Sequence, residues 1–293
     1  MRMWRDFGHF ERVTSDLPRV PLLETMATFS CTLACRSCTN YSDYGMKGGY
    51  VRWSQMQDWL DVLFTRLRVD CFSIIGGEPF LNPELQTWVD SFRERYPYIT
   101  LMLLSNATLL EKNWWILDSM EKHGMIYLKL TNHQPNAAYF DSAKQKILER
   151  FTWRYEGDNQ WFEPSKILDF RVESPGTFLR TFRGEYANMK PYDSDPTAAF
   201  KICNQQICPL LTDGKLYKCS SVGMLDRVLR DHGLSADQDW TPYKDSGIAL
   251  DCDDATLRAW AANIGKPHRV CRMCPTSKDR PFHSHFDSVV SRI

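Results

Sequence analysis

The sequence has no long hydrophobic run, no excess of charge of either sign, and no internal repeat or low-complexity tract. No apolar stretch reaches the roughly 18 residues of a membrane-spanning helix, and residues 1–6 lack the apolar centre of a signal peptide. Lysine and arginine together number 36, as do aspartate and glutamate. Nothing therefore suggests a polyanionic partner. We expect a cytoplasmic protein with no nucleic-acid and no membrane partner.

Cysteine, by contrast, is abundant, with ten in 293 residues. Because export is not indicated, we expect a reducing compartment, in which clustered thiols are more often metal ligands than disulfides. Two cysteines stand apart from the clusters. Cys71 lies in an apolar stretch and is predicted to be a core residue, and Cys252 lies among aspartates and is predicted to be a free thiol.

Cys31, Cys35 and Cys38 have C-x3-C-x2-C spacing and directly follow an apolar, strand-like run over 20–29. Thiolates are soft ligands, and three on one tight loop can bind three corners of a cubane iron–sulfur cluster. The fourth iron would then stay open to a small molecule. A zinc loop or three incidental thiols are the alternatives. A zinc site would want a fourth Cys or His at conventional spacing, which the neighbouring residues do not supply.

From residue 20 to about 172, short apolar strands alternate with amphipathic helices, in about six β/α units. This pattern predicts a parallel sheet buried on both faces, although periodicity alone does not separate a partial barrel from a doubly wound sheet. Ser54 to Gln57 is interpreted as a capping box, and Asn82-Pro83 as a helix cap with proline in the first turn. We expect strands at 20–29, 69–75, 99–104, 125–130, 152–155 and 167–172, and helices after 54, after 82, at 111–123 and at 138–151.

Polar residues follow the predicted strands, at the end where parallel α/β folds bind their ligands. They are Gly76, Gly77, Glu78 and Pro79 after the second strand, Ser105 and Asn106 after the third, and Lys129, Thr131 and His133 in and after the fourth. Glycines expose backbone carbonyls, and a carboxylate accepts hydrogen bonds from an ammonium. Ordinary Gly-Pro and Asn turns are the alternatives for the first two groups.

Three side chains are candidates for contact with a substrate. A lysine in a buried strand is costly unless it has a partner, so Lys129 is either a ligand contact or a member of a structural ion pair. His133 and Arg171 are weaker candidates, since isolated His and Arg residues are usually surface or structural groups.

The character of the chain changes between residues 173 and 201, where glycine and proline interrupt the pattern. We predict an N-terminal arm at 1–19, a core domain at 20–195 and a second module at 196–293. Within that module, 210–219 predicts a hairpin on an Asp213-Gly214 turn. Five cysteines surround it: Cys203, Cys208, Cys219, Cys271 and Cys274.

The first cysteine group resembles the signature of the radical S-adenosylmethionine (SAM) enzymes, and Gly76 to Pro79 resembles their GGEP motif. In that family the cysteines bind a [4Fe–4S] cluster, SAM chelates the open iron, and reductive cleavage yields a 5′-deoxyadenosyl radical that abstracts hydrogen from substrate. The resemblance implies a partial (β/α)6 barrel. It also implies SAM contacts from Gly76, Gly77, Glu78, Pro79, Ser105, Asn106, Lys129 and Thr131. Ser37 stands where the family usually has an aromatic residue, so Tyr41 or Tyr44 is expected to contact adenine instead.

The later cysteines, with Gly214 between Cys203 and Cys219, resemble the shortened SPASM module called twitch, which binds one auxiliary [4Fe–4S] cluster. Five cysteines compete for four positions, and Cys208 is the odd member. A structural zinc ribbon is the alternative, because C-x4-C followed by C-x2-C also suits zinc.

The resemblance implies an oxidoreductase, with dehydrogenation of a polar small molecule such as a sugar, aminocyclitol or nucleotide as the first expectation. An enzyme that cross-links or epimerises a peptide is the alternative. Residues 1–19 are too few for a leader-binding domain, but a short or leaderless peptide is still an alternative substrate. A non-enzymatic iron–sulfur or zinc protein is a third hypothesis. A reductant such as flavodoxin or ferredoxin is the expected partner.

Overall fold

The computed structural model describes residues 16–46, 48–134, 137–174, 177–277 and 282–284. Most of the predicted N-terminal arm therefore lies outside the described residues. The strands are β1 Arg19–Met26, β2 Arg68–Ile75, β3 Thr100–Ser105, β4 Ile126–Thr131, β5 Arg154–Gly157, β6 Gln160–Glu163, β7 Leu168–Glu173, β8 Thr177–Leu179, β9 Leu210–Thr212, β10 Lys215–Tyr217, β11 Ile248–Ala249 and β12 Phe282–Ser284. The helices are α1 Trp53–Leu63, α2 Leu85–Arg95, α3 Trp115–His123, α4 Ala138–Arg150, α5 Pro196–Ile202, α6 Ser220–Gly223, α7 Leu225–Asp231 and α8 Asp254–Ala262.

Ten strands form one sheet in the order β11-β10-β9-β1-β2-β3-β4-β7-β6-β5. Neighbouring strands from β9 through β7 are parallel, and the strands at each end are antiparallel. The sheet ends at β11 and β5 without closing. The predicted α/β class, with an open sheet of the kind found in a partial barrel, is confirmed.

The predicted count of six β/α units before residue 172 is wrong. The segment between α4 and β7 forms an antiparallel hairpin, β5–β6, so only five parallel strands come from this part of the chain. The sixth parallel strand is β9, which pairs with β1 through Glu24–Leu210 and Thr25–Leu211. Residues after 195 thus complete the parallel sheet, and the domain boundary at 195 stays a prediction.

The strands bury side chains on both faces, as their solidly apolar sequences predict. One set packs with the helices in the main core, for example Leu23, Phe72 and Leu128. The alternate set forms a small cluster on the opposite face, called here the cavity face: Leu22, Cys71, Met102 and Tyr127. Cys71 is fully buried, which confirms its assignment to the core.

The helix starts depend on long-range contacts. The predicted capping box at Ser54 is wrong, because α1 begins at Trp53 and has no local side-chain cap. Glu84 Oε2 accepts the Trp53 N–H instead, at 2.9 Å. Asn82 does accept the Glu84 N–H at 2.9 Å, but α2 begins only at Leu85.

Two further differences concern where elements begin and end. β1 ends at Met26 instead of residue 29, and α3 begins at Trp115 instead of residue 111. The Asp213-Gly214 hairpin is present as predicted, with both residues at positive φ. Within the described ranges, no helix combines the length and the apolar character needed to cross a bilayer.

Candidate functional site

Two adjoining cavities lie over the parallel strands. One, of about 340 Å³ (the first cavity), is at their carboxyl ends, and the other, of about 300 Å³ (the second cavity), lies against the middle of β1, β3, β4 and β7. Loops after β1, β2, β3 and β4 line the first cavity, and the segment 203–208 lies between the two cavities. The topology thus places the predicted motifs where parallel α/β folds bind ligands.

Cys31, Cys35 and Cys38 all line the first cavity. A tight turn, in which the Cys38 N–H donates to the Cys35 carbonyl at 3.1 Å, orients the loop. Burial raises the pKa of all three thiols, that of Cys31 to about 12, and their mutual proximity raises the pKa of Cys31 and Cys35 further. Three sulfurs that line one cavity and would repel one another as thiolates fit a cationic, sulfur-binding group such as an iron–sulfur cluster.

Gly76 and Gly77 bring the end of β2 into direct backbone contact with the cysteine loop. The Gly77 N–H donates to the Thr28 carbonyl at 3.1 Å, and the next N–H, of Glu78, donates to the Ser30 carbonyl at 2.9 Å. A Cβ on Gly77 would lie 2.0 Å from the Ser30 carbonyl oxygen. Both glycines also line the first cavity. The close backbone approach therefore explains why glycine is needed here, and the position also suits contact with a ligand.

Glu78 does not reach the first cavity. Its side chain is fully buried, and it accepts hydrogen bonds from Ser105 Oγ at 2.8 Å and from the Asn106 N–H at 2.8 Å. A third hydrogen bond comes from the Phe80 N–H at 3.3 Å, and burial raises the pKa of Glu78 to about 7. The expectation that this carboxylate, with Pro79, contacts a ligand does not fit this geometry. Glu78 instead ties the end of β2 to the end of β3.

Ser105 and Asn106 line the first cavity, and Asn106 also positions the cysteine loop. The Asn106 Nδ2 donates to Thr32 Oγ1 at 3.1 Å and lies 3.7 Å from Cys31 Sγ. An amide that reaches both a loop hydroxyl and a cysteine sulfur holds that sulfur against the end of β3.

The candidates on β4 and β7 divide between the two cavities. Thr131 and His133 line the first cavity, and His133 Nδ1 lies 3.6 Å from Cys35 Sγ. Lys129 lines both cavities, whereas Arg171 lines only the second. Lys129 Nζ is 2.7 Å from Glu173 Oε2, so the lysine faces the cavities and belongs to an ion pair at the same time.

Tyr41 lies away from both cavities. Its hydroxyl donates to the Ser221 carbonyl at 2.8 Å and lies 3.0 Å from Thr181 Oγ1, and its ring stacks on Phe182. Tyr44 packs in the same aromatic cluster. The expected adenine contact from Tyr41 or Tyr44 does not fit these positions. Their rings connect the cysteine loop to the C-terminal part of the chain.

Four of the five later cysteines share a third, small cavity of about 30 Å³: Cys203, Cys219, Cys271 and Cys274. Burial raises the pKa of Cys203, Cys219 and Cys274, and each of these thiols also lies close enough to Cys271 for its charge to matter. Within the described ranges, no three Cys, His, Asp or Glu side chains are gathered as closely as a single metal ion needs.

Cys208 is placed differently from the other four. It lines the first and second cavities and not the small cavity, and Glu24 and Lys129 are the charged groups that most affect it. Burial raises the pKa of the Cys208 thiol well above its ordinary value.

Sequence reasoning missed Glu24, which lines both large cavities although only 7% of it is exposed. The signal was present, because a lone acidic residue in an otherwise apolar predicted strand carries the same burial cost as Lys129. Burial raises the pKa of Glu24 to about 7, and the Lys129 ammonium partly offsets the increase.

Comparison with known proteins identifies a domain over residues 26–155, which match the family described as the Radical SAM superfamily. No curated protein matches the sequence. The open parallel sheet and its cysteine loop thus coincide with a radical SAM domain match.

Among solved structures, Streptococcus suis SuiB bound to S-adenosylmethionine is 16% identical over 45% of this chain and 32% of its own, with a TM-score of 0.39. BtrN in complex with AdoMet and 2-DOIA is 15% identical over 92% of this chain and 98% of its own, with a TM-score of 0.49. The enzyme anSMEcpe with bound AdoMet and Cp18Cys peptide is 18% identical over 55% and 44%, with a TM-score of 0.37. This chain thus spans about a third of the length of SuiB.

We predict that Gly77→Ala prevents the cysteine loop from docking on β2, because the new methyl group would overlap the Ser30 carbonyl. Iron bound at that loop, measured after anaerobic reconstitution, should fall to a small fraction of the wild-type amount. Gly157→Ala is the control. Gly157 has φ of +92°, so alanine there is strained by about 1–2 kcal/mol, but no atom lies within 4 Å of a new Cβ. The substitution should therefore leave iron binding unchanged. Full iron binding by Gly77→Ala would contradict this account.

We also predict a pH-dependent contribution of Glu24 to stability. Its pKa is raised from 4.5 to about 7 in the folded chain, so the folded protein holds this proton more tightly than the unfolded chain does. The free energy of unfolding should therefore fall as pH rises through this interval, by on the order of 3 kcal/mol in total. Glu24→Gln removes this dependence.

Urea denaturation midpoints at pH 5.5 and 8 test the Glu24 prediction. Relative to wild type, Glu24→Gln should be more stable at pH 8 than at pH 5.5, whereas Glu163→Gln should not be, since the pKa of Glu163 is lowered. An unchanged difference between wild type and Glu24→Gln at the two pH values would show that the carboxyl is solvated.

Proposed function

We propose that this chain is a radical SAM enzyme that uses SAM to abstract a hydrogen atom from a carbon of a polar small molecule. The observation that carries the proposal is that Cys31, Cys35 and Cys38 line the same cavity of about 340 Å³ as Gly76 and Gly77. All five residues belong to the segment that matches the radical SAM family. An incidental thiol loop would not require a glycine pair packed on its backbone.

Cys31, Cys35 and Cys38 would hold a [4Fe–4S] cluster, with the fourth position open toward the first cavity. When bound, this cluster supplies the electron that cleaves SAM to methionine and a 5′-deoxyadenosyl radical. The chain's own contribution is positional. Asn106 holds Cys31, and Gly76 and Gly77 keep the loop against β2 while the buried walls limit the access of water.

Cys203, Cys219, Cys271 and Cys274 would hold an auxiliary [4Fe–4S] cluster of the twitch type. Support comes from their shared cavity and their mutual electrostatic influence. A structural zinc ribbon is the alternative for the same thiols. An auxiliary cluster would give a substrate radical an electron acceptor, which favours dehydrogenation, with flavodoxin or ferredoxin as the proposed source of the initiating electron.

The walls between the cavities support a polar small molecule as substrate. Glu24 and Lys129 line both large cavities, and Cys208 lies beside them. Charged side chains at the walls suit a hydrophilic ligand better than an apolar one. A short peptide is the alternative substrate, and a cytoplasmic location remains our expectation for a protein with this cysteine content.

Anaerobic incubation with SAM and dithionite tests the proposal. The reconstituted protein should form 5′-deoxyadenosine, even without substrate, and the variant with Cys31→Ala, Cys35→Ala and Cys38→Ala should form none. Cys252→Ala is the matched control, since Cys252 lines none of the three cavities, and should retain wild-type formation. A wild-type protein that holds its iron but yields no 5′-deoxyadenosine would instead be an electron carrier or a structural iron–sulfur protein.

A further inference from the structure

The second cavity continues directly from the first. The two share Glu24, Leu104, Lys129, Asn204 and Cys208 as walls. Its floor is the apolar cluster of the cavity face, which includes Leu22, Met102 and Tyr127. With about 300 Å³ of space, it lies at the lower end of the range of small-molecule sites.

Strand geometry explains why charges collect on one side of this cavity. Side chains two positions apart on a strand share a face. Glu24 therefore follows Leu22, and Lys129 follows Tyr127, on the cavity face. Arg171 is the β7 partner of Lys129 in the sheet register, which brings the two cations side by side above the apolar floor.

The charges in this region are unevenly paired. Lys129 Nζ lies 2.7 Å from Glu173 Oε2, and Arg171 Nε lies 3.2 Å from Glu173 Oε1. Two cations thus share one carboxylate. Glu24, although more than nine-tenths buried, forms no ion pair with any residue that the structure describes, and it lines both cavities.

We propose that the second cavity is the substrate site and that the Glu24 carboxylate binds a protonated amino group of a small amine-bearing substrate. This inference deepens the proposed function and rests on it for the identity of the cavity's occupant as substrate. Hydroxyl groups of the same molecule face the Lys129–Glu173–Arg171 cluster, which offers both donors and acceptors.

Charge and desolvation favour this ligand class over its competitors. Lys129 is the cation that acts on Glu24, but it is ion-paired with Glu173 instead. A buried carboxylate without a direct hydrogen-bonded partner is costly, and an ammonium at hydrogen-bond distance supplies both charge and donors. An anionic ligand would face Glu24 across the cavity and be repelled unless Glu24 took up a proton. A neutral polyol would bring hydrogen-bond donors to the carboxylate but no positive charge, so it gains less from this site.

Matched fragments test the assignment. We would measure the binding of trans-2-aminocyclohexanol and trans-1,2-cyclohexanediol to the reconstituted full chain, with and without SAM, by ligand-observed NMR at pH 6 and pH 8. The two fragments differ only in one amino group. At pH 8 the amine should bind about tenfold more tightly than the diol, because the pairing there is between two charged groups.

The preference should shrink at pH 6. The pKa of Glu24 is raised to about 7, so the carboxyl is largely protonated at pH 6, while the amine stays charged at both pH values. Among the residues that the structure describes, the other titratable or charged groups around Glu24 are Lys129 of β4, Arg171 and Glu173 of β7, Cys71 of β2, and Cys203 and Cys208.

Glu24→Gln should bind the two fragments equally within about twofold, since a neutral amide does not favour an ammonium. Glu163→Gln, a buried carboxyl bonded to Ser165 and Lys166 and away from both large cavities, should keep the wild-type preference. Equal binding of both fragments by wild type, or a preference that survives Glu24→Gln, would overturn the proposal.

These outcomes are separable from those of the proposed function. Fragment binding needs no SAM cleavage, so an amine preference in a protein that forms no 5′-deoxyadenosine would retain the Glu24 site and reject its role in radical chemistry. Formation of 5′-deoxyadenosine without any amine preference would retain the enzyme class and reject Glu24 as the amine contact.

Discussion

The cysteine loop and the end of β2 are joined by backbone hydrogen bonds. Gly77 and Glu78 donate their N–H groups to the carbonyls of Thr28 and Ser30, at a separation that leaves no room for a Cβ at position 77. The rest of the first cavity depends on this contact. The buried Glu78 carboxylate accepts hydrogen bonds from Ser105 Oγ and the Asn106 N–H, and the Asn106 side-chain amide in turn contacts Cys31 Sγ.

The C-terminal part of the chain completes this arrangement. β9 extends the parallel sheet beside β1, and Ser221 bonds back to the cysteine loop through the Tyr41 hydroxyl and the Thr39 carbonyl. Thr39, Asn204 and Gln205 are walls of both the first cavity and the small four-cysteine cavity. The two groups of cysteines are therefore neighbours across one shared wall.

Features set by local chemistry could be predicted from the sequence. The three-cysteine loop, the Gly76–Gly77 turn and the Asp213-Gly214 hairpin each have a short-range signature, and each is present in the fold. The predictions failed where partners come from distant segments. The cap of α1 is Glu84, two hydrogen-bond partners of Glu78 are Ser105 and Asn106 at the end of β3, and Tyr41 is held by Ser221. The sixth parallel strand comes from beyond residue 195, which periodicity before residue 172 could not show.

Iron and sulfide per chain after anaerobic reconstitution test the central claim most directly, namely that the cysteines form two cluster sites with Cys208 outside both. Wild type should hold about eight irons, the triple alanine variant at Cys31, Cys35 and Cys38 about four, and Cys208→Ala about eight, in keeping with four irons per cubane cluster. Four irons with zinc in the wild type, or a loss of iron in Cys208→Ala matching that of Cys274→Ala, would contradict the account.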